Sequence, residues 1–127
     1  MSITTVNVGT PTNQLVFTDT AMGNTVDGVK SSSAEILSVT VNNLLNASAS
    51  AYVKLFNLLS GNVTLGTTAP DKIIDAPGGS IITAVFYNEG NIGVTFSTGL
   101  SAACVTTGGT AGTTSPAMNV IVTISFI

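Results

Sequence analysis

The sequence predicts an all-β protein, a single antiparallel β-sandwich of about eight strands with a jelly-roll-like arrangement. Apolar and polar residues alternate with a period of two in several segments, which is typical of strands with one buried face. The β-branched residue threonine accounts for 20 of the 127 residues, and β-branched side chains favour strands. Turns containing glycine and asparagine separate these segments, and none of the segments shows apolar residues at helical spacing behind an N-cap.

The N-terminal part of the chain contains two strand candidates and one long polar segment. Residues 3–8 and 14–18 are rich in β-branched residues and are separated by a turn that contains Pro11. Residues 1–11 form a candidate N-terminal arm. Residues 19–33 are rich in Gly, Ser, Thr and Asn, a composition that predicts a mobile loop.

The middle of the chain contains two further strand candidates. From Leu37 to Asn42, within residues 35–43, apolar side chains hold the odd positions and polar side chains the even ones, which predicts a half-buried strand. Residues 51–58 carry apolar side chains on both faces. This pattern predicts a strand that is covered on both sides, and a short helix is the alternative.

The C-terminal half contains the remaining strand candidates. They are residues 80–87, 93–97, 100–107 and 118–127. Alternation is clearest in the last of these, where Val120, Val122 and Ile124 share one face. A chain of 127 residues has the size of one domain, so residues 1–127 are interpreted as a single β-sandwich domain.

Composition and charge exclude several classes of function. Three lysines, Lys30, Lys54 and Lys72, oppose six acidic residues, and the net charge is −3. Nucleic-acid binding requires clustered basic residues, so we expect no nucleic-acid partner. No apolar stretch approaches the ~20 residues of a membrane helix, and the N-terminus lacks the basic and apolar regions of a signal peptide. We therefore expect the protein to be made in the cytoplasm and not to associate with a membrane.

Candidate catalytic and metal-binding residues are few. The chain has no histidine, and its one cysteine, Cys104, shares a face with apolar neighbours, which predicts a buried side chain. Asp71 and Asp75 form the only close acidic pair beside a turn, but Asp71 follows a proline, where a carboxylate commonly caps the turn. Asp19, Asn24 and Asp27 lack the spacing of a calcium loop. The sequence therefore predicts no catalytic residue, metal site or cofactor, and no enzyme activity.

Five apolar residues near the chain ends are candidates for an interface between molecules. Ile121 and Ile127 place apolar groups on the otherwise polar face of the last strand candidate, and such a strand needs a partner on its second face. Ile3, Val6 and Val8 lie in the candidate arm ahead of Pro11. The alternative is that both segments belong to the core of the sandwich.

Several phrases of the sequence resemble a recurring module of tailed-bacteriophage virion proteins. They are SVTVNN at 38–43, AYVKLFN at 51–57, VTLGTTAPD at 63–71, DAPGGS at 75–80, FSTGLS at 96–101 and CVTT at 104–107. The resemblance spans roughly residues 36–125. It departs at residues 91–95, where members of the family often have an Arg or Lys and this chain has none.

The resemblance implies a small β-sandwich on the outside of a virion, with a structural rather than enzymatic role. The leading hypothesis is a capsid decoration (cement) protein, a homo-oligomer with a trimer favoured, whose partner is the major capsid protein. The alternative is a tail, fibre or head-surface adhesin for a host glycan or envelope component. Sugar sites usually need aromatic platforms, and only Tyr52 and Tyr87 are suitable. A third hypothesis, a glycan depolymerase, would require the Asp71 and Asp75 carboxylates in one cleft.

Overall fold

The computed structural model of the protein describes residues 14–86 and 93–127. These residues form nine strands and one short 3-10 turn at Ser60–Asn62. The strands are β1 (Leu15–Asp19), β2 (Asp27–Lys30), β3 (Ala34–Asn42), β4 (Ala51–Phe56), β5 (Lys72–Ala76), β6 (Ile81–Val85), β7 (Val94–Phe96), β8 (Leu100–Val105) and β9 (Ile121–Phe126). Over the described ranges, no helix is long and apolar enough to cross a membrane.

The strands form two antiparallel sheets. The four-stranded sheet has the order β2–β8–β4–β5, and the five-stranded sheet has the order β1–β9–β3–β6, with β7 also paired to β3. β6 and β7 lie end to end along one side of β3, because Ser38 pairs with Val85 and Ile36 with Val94. β6 and β7 therefore occupy one position in the sheet together, so the nine strands fill eight positions, four in each sheet. With β6 and β7 counted as one strand, the chain changes sheet at every connection except β4–β5, which is the order of a jelly roll. The predicted fold class is confirmed.

One hydrophobic core lies between the two sheets. Alternate side chains of each strand point into it, as the pleat of a strand requires. The five-stranded sheet contributes Val39, Val41, Val122 and Ile124, and the four-stranded sheet contributes Val53, Leu55, Leu100 and Ala102. All eight have no more than trace exposure to solvent, so the opposite face of each sheet is composed of the intervening residues.

The structure differs from the sequence-based strands in several places. β8 ends at Val105 rather than at residue 107, and β9 begins at Ile121 rather than at residue 118. The segment 19–33, predicted as a loop, contains the last residue of β1 and all of β2, and the prediction was wrong for those five residues. β5 was not predicted, because Lys72 and Asp75 interrupt its short apolar run. β4 ends at Phe56 rather than at residue 58. The strand candidate at 3–8 lies outside the described residues.

Candidate interaction surface

Three rows of side chains run across β1, β9, β3 and β6 on the outer face of the five-stranded sheet. Glu35 lies on the same face at the other end of β3, beside β7, because its neighbours Ala34 and Ile36 point into the core. Strand pairing fixes the rows, because residues paired across an antiparallel sheet point to the same side. The rows are Val16–Ser125–Ser38–Val85, Thr18–Thr123–Thr40–Thr83, and Ile121–Asn42–Ile81. No side chain in these rows carries a charge.

The middle row, called the threonine row below, places four threonines side by side on four neighbouring strands. Adjacent strands are about 4.8 Å apart, so neighbouring threonines are within contact distance. The Thr40 and Thr83 hydroxyls are hydrogen-bonded at 3.0 Å between their Oγ1 atoms. Their hydrogen bond is made within the protein, which lowers the free energy needed to remove this part of the face from water.

An apolar rim continues this face at the end of β3. We define the rim as five large side chains with exposed fractions from 37% to 59%: Leu44, Leu45, Ile81, Met118 and Ile121. Ile81 and Ile121 both pair with Asn42, the last residue of β3, and Leu44 follows it by two residues. The face and the rim are therefore one continuous surface.

Two buried asparagines hold the loop residues of the rim in place. The Asn43 amide nitrogen donates to the carbonyls of Ala49, at 2.9 Å, and Ala76, at 3.0 Å, while its Oδ1 accepts from Asn46. The Asn46 side chain in turn donates to the Met118 carbonyl and accepts from the Met118 amide. These bonds fix the loop after β3 against the loop before β9.

The outer face of the four-stranded sheet is covered by the chain itself over the central strands β4 and β8. Their outward side chains Phe56, Ser101, Ala103 and Val105 are fully buried, whereas Ile73 on the edge strand β5 is exposed. The Ser101 hydroxyl donates to the Leu58 carbonyl at 2.7 Å. The β4–β5 and β8–β9 connections therefore supply a second buried layer on this side. The strand predicted within residues 51–58 is covered on both sides over β4.

Lys54 occupies the centre of this covered face. Its side chain is fully buried, and its ammonium group donates to the carbonyls of Thr110, at 3.3 Å, and Gly112, at 3.0 Å. Burial lowers the pKa of the Lys54 ammonium below its ordinary value. Both carbonyls belong to the β8–β9 connection, so Lys54 fastens that connection to the sheet.

Two similar turns lie next to each other in this covering layer. Gly66 begins the sequence GTTAP and Gly112 begins GTTSP. Gly66 has a φ of 90°, and a Cβ atom added there would lie 2.6 Å from the Thr113 side chain. The two repeated segments therefore pack directly against each other, and glycine is required at that contact.

An acidic pair lies between the edge strands β1 and β2. Asp19 pairs with Val122 and Asp27 with Ala102, two core residues, so both carboxyls point toward the space between the sheets. The Oδ2 atom of Asp27 is buried and has no hydrogen-bond partner among the described residues. Burial, followed by a hydrogen bond and the charge of Asp19, raises the pKa of Asp27 to about 6.

Asn24, the third member of the calcium candidate, is not directed at this pair. Its side chain donates to the Thr113 carbonyl at 3.0 Å, in the β8–β9 connection. Over residues 14–86 and 93–127, no group of three or more acidic, cysteine or histidine side chains is placed to hold a metal ion.

The other chemical candidates have structural surroundings. Cys104 is fully buried, as the sequence predicts, and burial raises the pKa of its thiol to about 12. The Asp71 carboxylate accepts a hydrogen bond from the backbone N–H of Asn57 at 2.7 Å, a structural contact between the two ends of the β4–β5 connection. Asp75 lies four residues further along an extended segment, roughly 13 Å away by strand rise. That separation exceeds the roughly 5–9.5 Å used for glycoside hydrolysis.

The sequence-based interface candidates lie in different surroundings. Ile121 is 37% exposed and belongs to the apolar rim. Ile127 is half-buried, and its backbone exchanges two hydrogen bonds with Glu35 at 2.9 and 3.0 Å. Ile3, Val6 and Val8 lie outside the described residues. Four rim residues, Leu44, Leu45, Ile81 and Met118, were not identified from the sequence, because only strand pairing brings them together.

A shallow cavity of about 300 Å³ lies away from this surface. It is lined by residues 28–31 of β2 and its following turn, together with Leu59 and Ser60. Lys30 is the charged member of the lining.

Comparison with known proteins gives similarity to solved structures alone. No protein-family model matches the chain, and no curated protein matches it. The chain is similar to a solved structure of the Tobacco streak virus coat protein, with 10% sequence identity and a TM-score of 0.33. The match covers 91% of this chain and 87% of the coat protein. This similarity is too low to indicate a function.

Proposed function

We propose that this protein is a structural protein of a virion surface, and more specifically a capsid decoration protein of a tailed phage. It binds the outside of the head as a homo-oligomer, with a trimer favoured, and each copy bridges neighbouring subunits of the major capsid protein. The observation that carries this proposal is the set of three uncharged rows on the outer face of the five-stranded sheet, together with the apolar rim that continues them. An exposed apolar surface of this kind is typical of contact with another protein.

Two further features support a structural role. The family resemblance over roughly residues 36–125 implies virion surface proteins of small β-sandwich type. Cys104 lies in the core, and the Asp71 carboxylate is hydrogen-bonded to the backbone of Asn57 and lies far from Asp75, so these groups do not support the depolymerase hypothesis.

The structure weakens the adhesin alternative at the one described tyrosine. A Cβ atom added to Gly108 would lie 3.1 Å from the Tyr52 ring, so backbone already packs on that ring. A sugar platform needs a free aromatic face. Tyr87 lies outside the described residues.

Copy number in purified particles tests the proposal. Quantitative mass spectrometry against the major capsid protein should give about one copy of this chain per capsid subunit if every capsid subunit carries one decoration subunit. A ratio of a few per cent would assign the chain to the tail or fibres and favour the adhesin, and absence from particles would overturn a virion role altogether.

The sequence-based contact segments receive a separate test. We propose that Ile3, Val6 and Val8, together with Ile121 and Ile127, contact neighbouring subunits on the particle. Deletion of residues 1–8 should abolish particle binding while the far-ultraviolet circular dichroism of the sandwich is retained. Unchanged binding by the truncated protein would remove the N-terminal segment from the interface.

A further inference from the structure

The exposed apolar residues of the molecule are concentrated on one side. Ten large hydrophobic side chains are exposed among the described residues, and eight of them lie on the five-stranded sheet or in the loops at its end. Leu59 and Ile73 are the two on the other side. The apolar surface is therefore a property of one side of the sandwich rather than of its whole exterior.

One of the four edge strands of the two sheets carries no charge. At one edge of the five-stranded sheet, β1 ends in Asp19. The edge strands of the four-stranded sheet carry charges: Asp27 and Lys30 on β2, and Lys72 and Asp75 on β5. β6, at the other edge of the five-stranded sheet, has the sequence IITAV, without charge, proline or bulge. Charges on edge strands discourage pairing with other chains, and β6 lacks this protection.

The size of the apolar surface matches that of a protein interface. The five side chains of the apolar rim expose roughly 500 Å², which is within the range of the largest patch on a typical monomer and is often functional. The threonine row and the row that begins at Val16, whose residues are not part of the rim, add roughly 250 Å² of sheet surface. The combined surface approaches the about 800 Å² that each partner contributes to a standard stable interface.

The absence of charge on this surface favours a second copy of the same chain as the partner. Copies of this protein each carry a net charge of −3, so they repel one another where their negatively charged surfaces come together. In a contact between copies of one chain, charged groups of the same sign that face one another across the interface are unfavourable. This surface has no charged group to oppose, and Thr40 and Thr83 already satisfy each other.

We propose that copies of this chain associate through the apolar rim and the adjoining outer face of the five-stranded sheet. The proposal deepens the function proposed above, since it names the surface through which the homo-oligomer forms. It is measured on the isolated protein, so it stands or falls separately from binding to a particle.

Two isoleucines on neighbouring edge strands, which face outward from opposite sheets, provide a matched pair of variants. Ile81 begins β6 in the rim and is 52% exposed, while Ile73 lies on β5 of the other sheet and is 40% exposed. Ile81→Lys brings a charge into the proposed interface, and Ile73→Lys brings the same charge to the opposite side. Leu45→Lys tests the loop part of the rim, away from any strand.

Sedimentation velocity of the full chain gives the oligomeric state of each variant. We expect the unaltered protein to be oligomeric, Ile81→Lys and Leu45→Lys to weaken association by at least about tenfold, and Ile73→Lys to have no effect. A monomeric unaltered protein at its highest soluble concentration would overturn the proposal. So would variants of the rim that remain oligomeric, or equal dissociation by Ile73→Lys.

Two controls keep the outcome clear. Circular dichroism and thermal unfolding establish that each variant is folded, and Ile81→Thr, which keeps a β-branched side chain, replaces Ile81→Lys if the lysine prevents folding. If the rim variants dissociate as expected but the unaltered oligomer does not bind particles, the result supports this proposal and contradicts the proposed function.

Discussion

The outer faces of the two sheets differ in what covers them. On the four-stranded sheet, the β4–β5 and β8–β9 connections cover the face, and Phe56, Ser101 and Val105 become core residues of a second layer. On the five-stranded sheet, the rows around Thr40 remain open and end in exposed apolar side chains. The same fold thus carries one face that is complete within the chain and one that is available to a partner.

This difference indicates where stability and association reside. Side chains under a covering layer lose contacts and leave polar groups unpaired when they are removed, so substitutions there lower the free energy of unfolding strongly. Side chains on an open face have few such contacts, and substitutions there change binding more than folding. Variants on the two faces separate these roles.

The largest effect is expected at Lys54, beneath the covering layer. Lys54→Ala removes a buried four-carbon stem and leaves the Thr110 and Gly112 carbonyls without their donor. We expect a loss of about 3–4 kcal/mol in the free energy of unfolding and faster proteolysis within residues 106–120. Urea denaturation and limited proteolysis provide the measurements.

Two companion variants separate packing from hydrogen bonding at this position. Lys54→Met keeps most of the stem and loses only the donor, so its loss should be smaller than that of Lys54→Ala. Lys72→Ala, at an exposed lysine on the neighbouring strand, should change stability by less than about 1 kcal/mol. Equal losses at positions 54 and 72 would show that the covering layer contributes little.

The next largest effect is expected at Asn43, which supports the apolar rim. Asn43→Ala removes the donor to the Ala49 and Ala76 carbonyls and the acceptor for Asn46 at a fully buried position. We expect a loss of about 2–3 kcal/mol. Because the same bonds position Leu44 and Leu45, self-association should weaken together with stability.

The exposed Asn62, in the β4–β5 connection away from the apolar rim, is the control for this variant. Asn62→Ala should leave both the unfolding midpoint and the sedimentation coefficient unchanged. If Asn43→Ala lowers stability without any change in association, the loop after β3 is not part of the interface.

The sequence predicts the faces better than it predicts their surroundings. Alternation around Val39 and Val122 correctly separates core residues from outward residues, because that signal is local. The apolar residues on both faces of β4 also correctly indicate a covered strand. The segments that cover β4 could not be predicted from local patterns, because the β4–β5 and β8–β9 connections have no periodic pattern. Lys54 could not be predicted as buried either, because a lysine in a strand is usually exposed.

The apolar rim shows the same limit of local patterns. Leu44, Ile81 and Met118 lie far apart in the sequence, and each one alone resembles an ordinary exposed side chain. Only the register that pairs Asn42 with both Ile81 and Ile121 places them together. Strand pairing over long sequence separations depends on the whole fold, so neither the threonine row nor the rim could be predicted from spacing.

An intermediate effect is expected at Asp27, on the edge between the two sheets. A carboxyl whose pKa rises from 3.8 to about 6 on folding holds its proton more tightly in the folded state. Stability is therefore greatest below about pH 4 and falls as the pH rises to about 6. Asp27→Asn should remove this slope and stabilise the protein by about 1–2 kcal/mol at pH 7, a value reduced for the partial exposure of Asp27.

Urea denaturation at pH 4.5 and pH 7 measures this slope in both proteins. The comparison with Asp75→Asn, an exposed carboxylate on β5, controls for the loss of one negative charge. A slope that survives Asp27→Asn would assign the pH dependence to other groups and leave the acidic pair without a role in stability.

The smallest effect on folding is expected in the threonine row. Thr83→Ala removes the Thr40–Thr83 hydrogen bond at an exposed edge position, and we expect a loss of about 0.5 kcal/mol in the free energy of unfolding. Thr83→Val keeps the β-branched shape and should be nearly neutral. Association stabilises the folded state by an amount that increases with protein concentration. Both variants are therefore measured in the Ile81→Lys background, where the chain is expected to be monomeric. A loss of 2 kcal/mol or more in that background would mean that the open face stabilises the monomer as strongly as the covered one. The two sheets would then differ only in how exposed their outer faces are. They would not differ in whether those faces contribute to folding or to association.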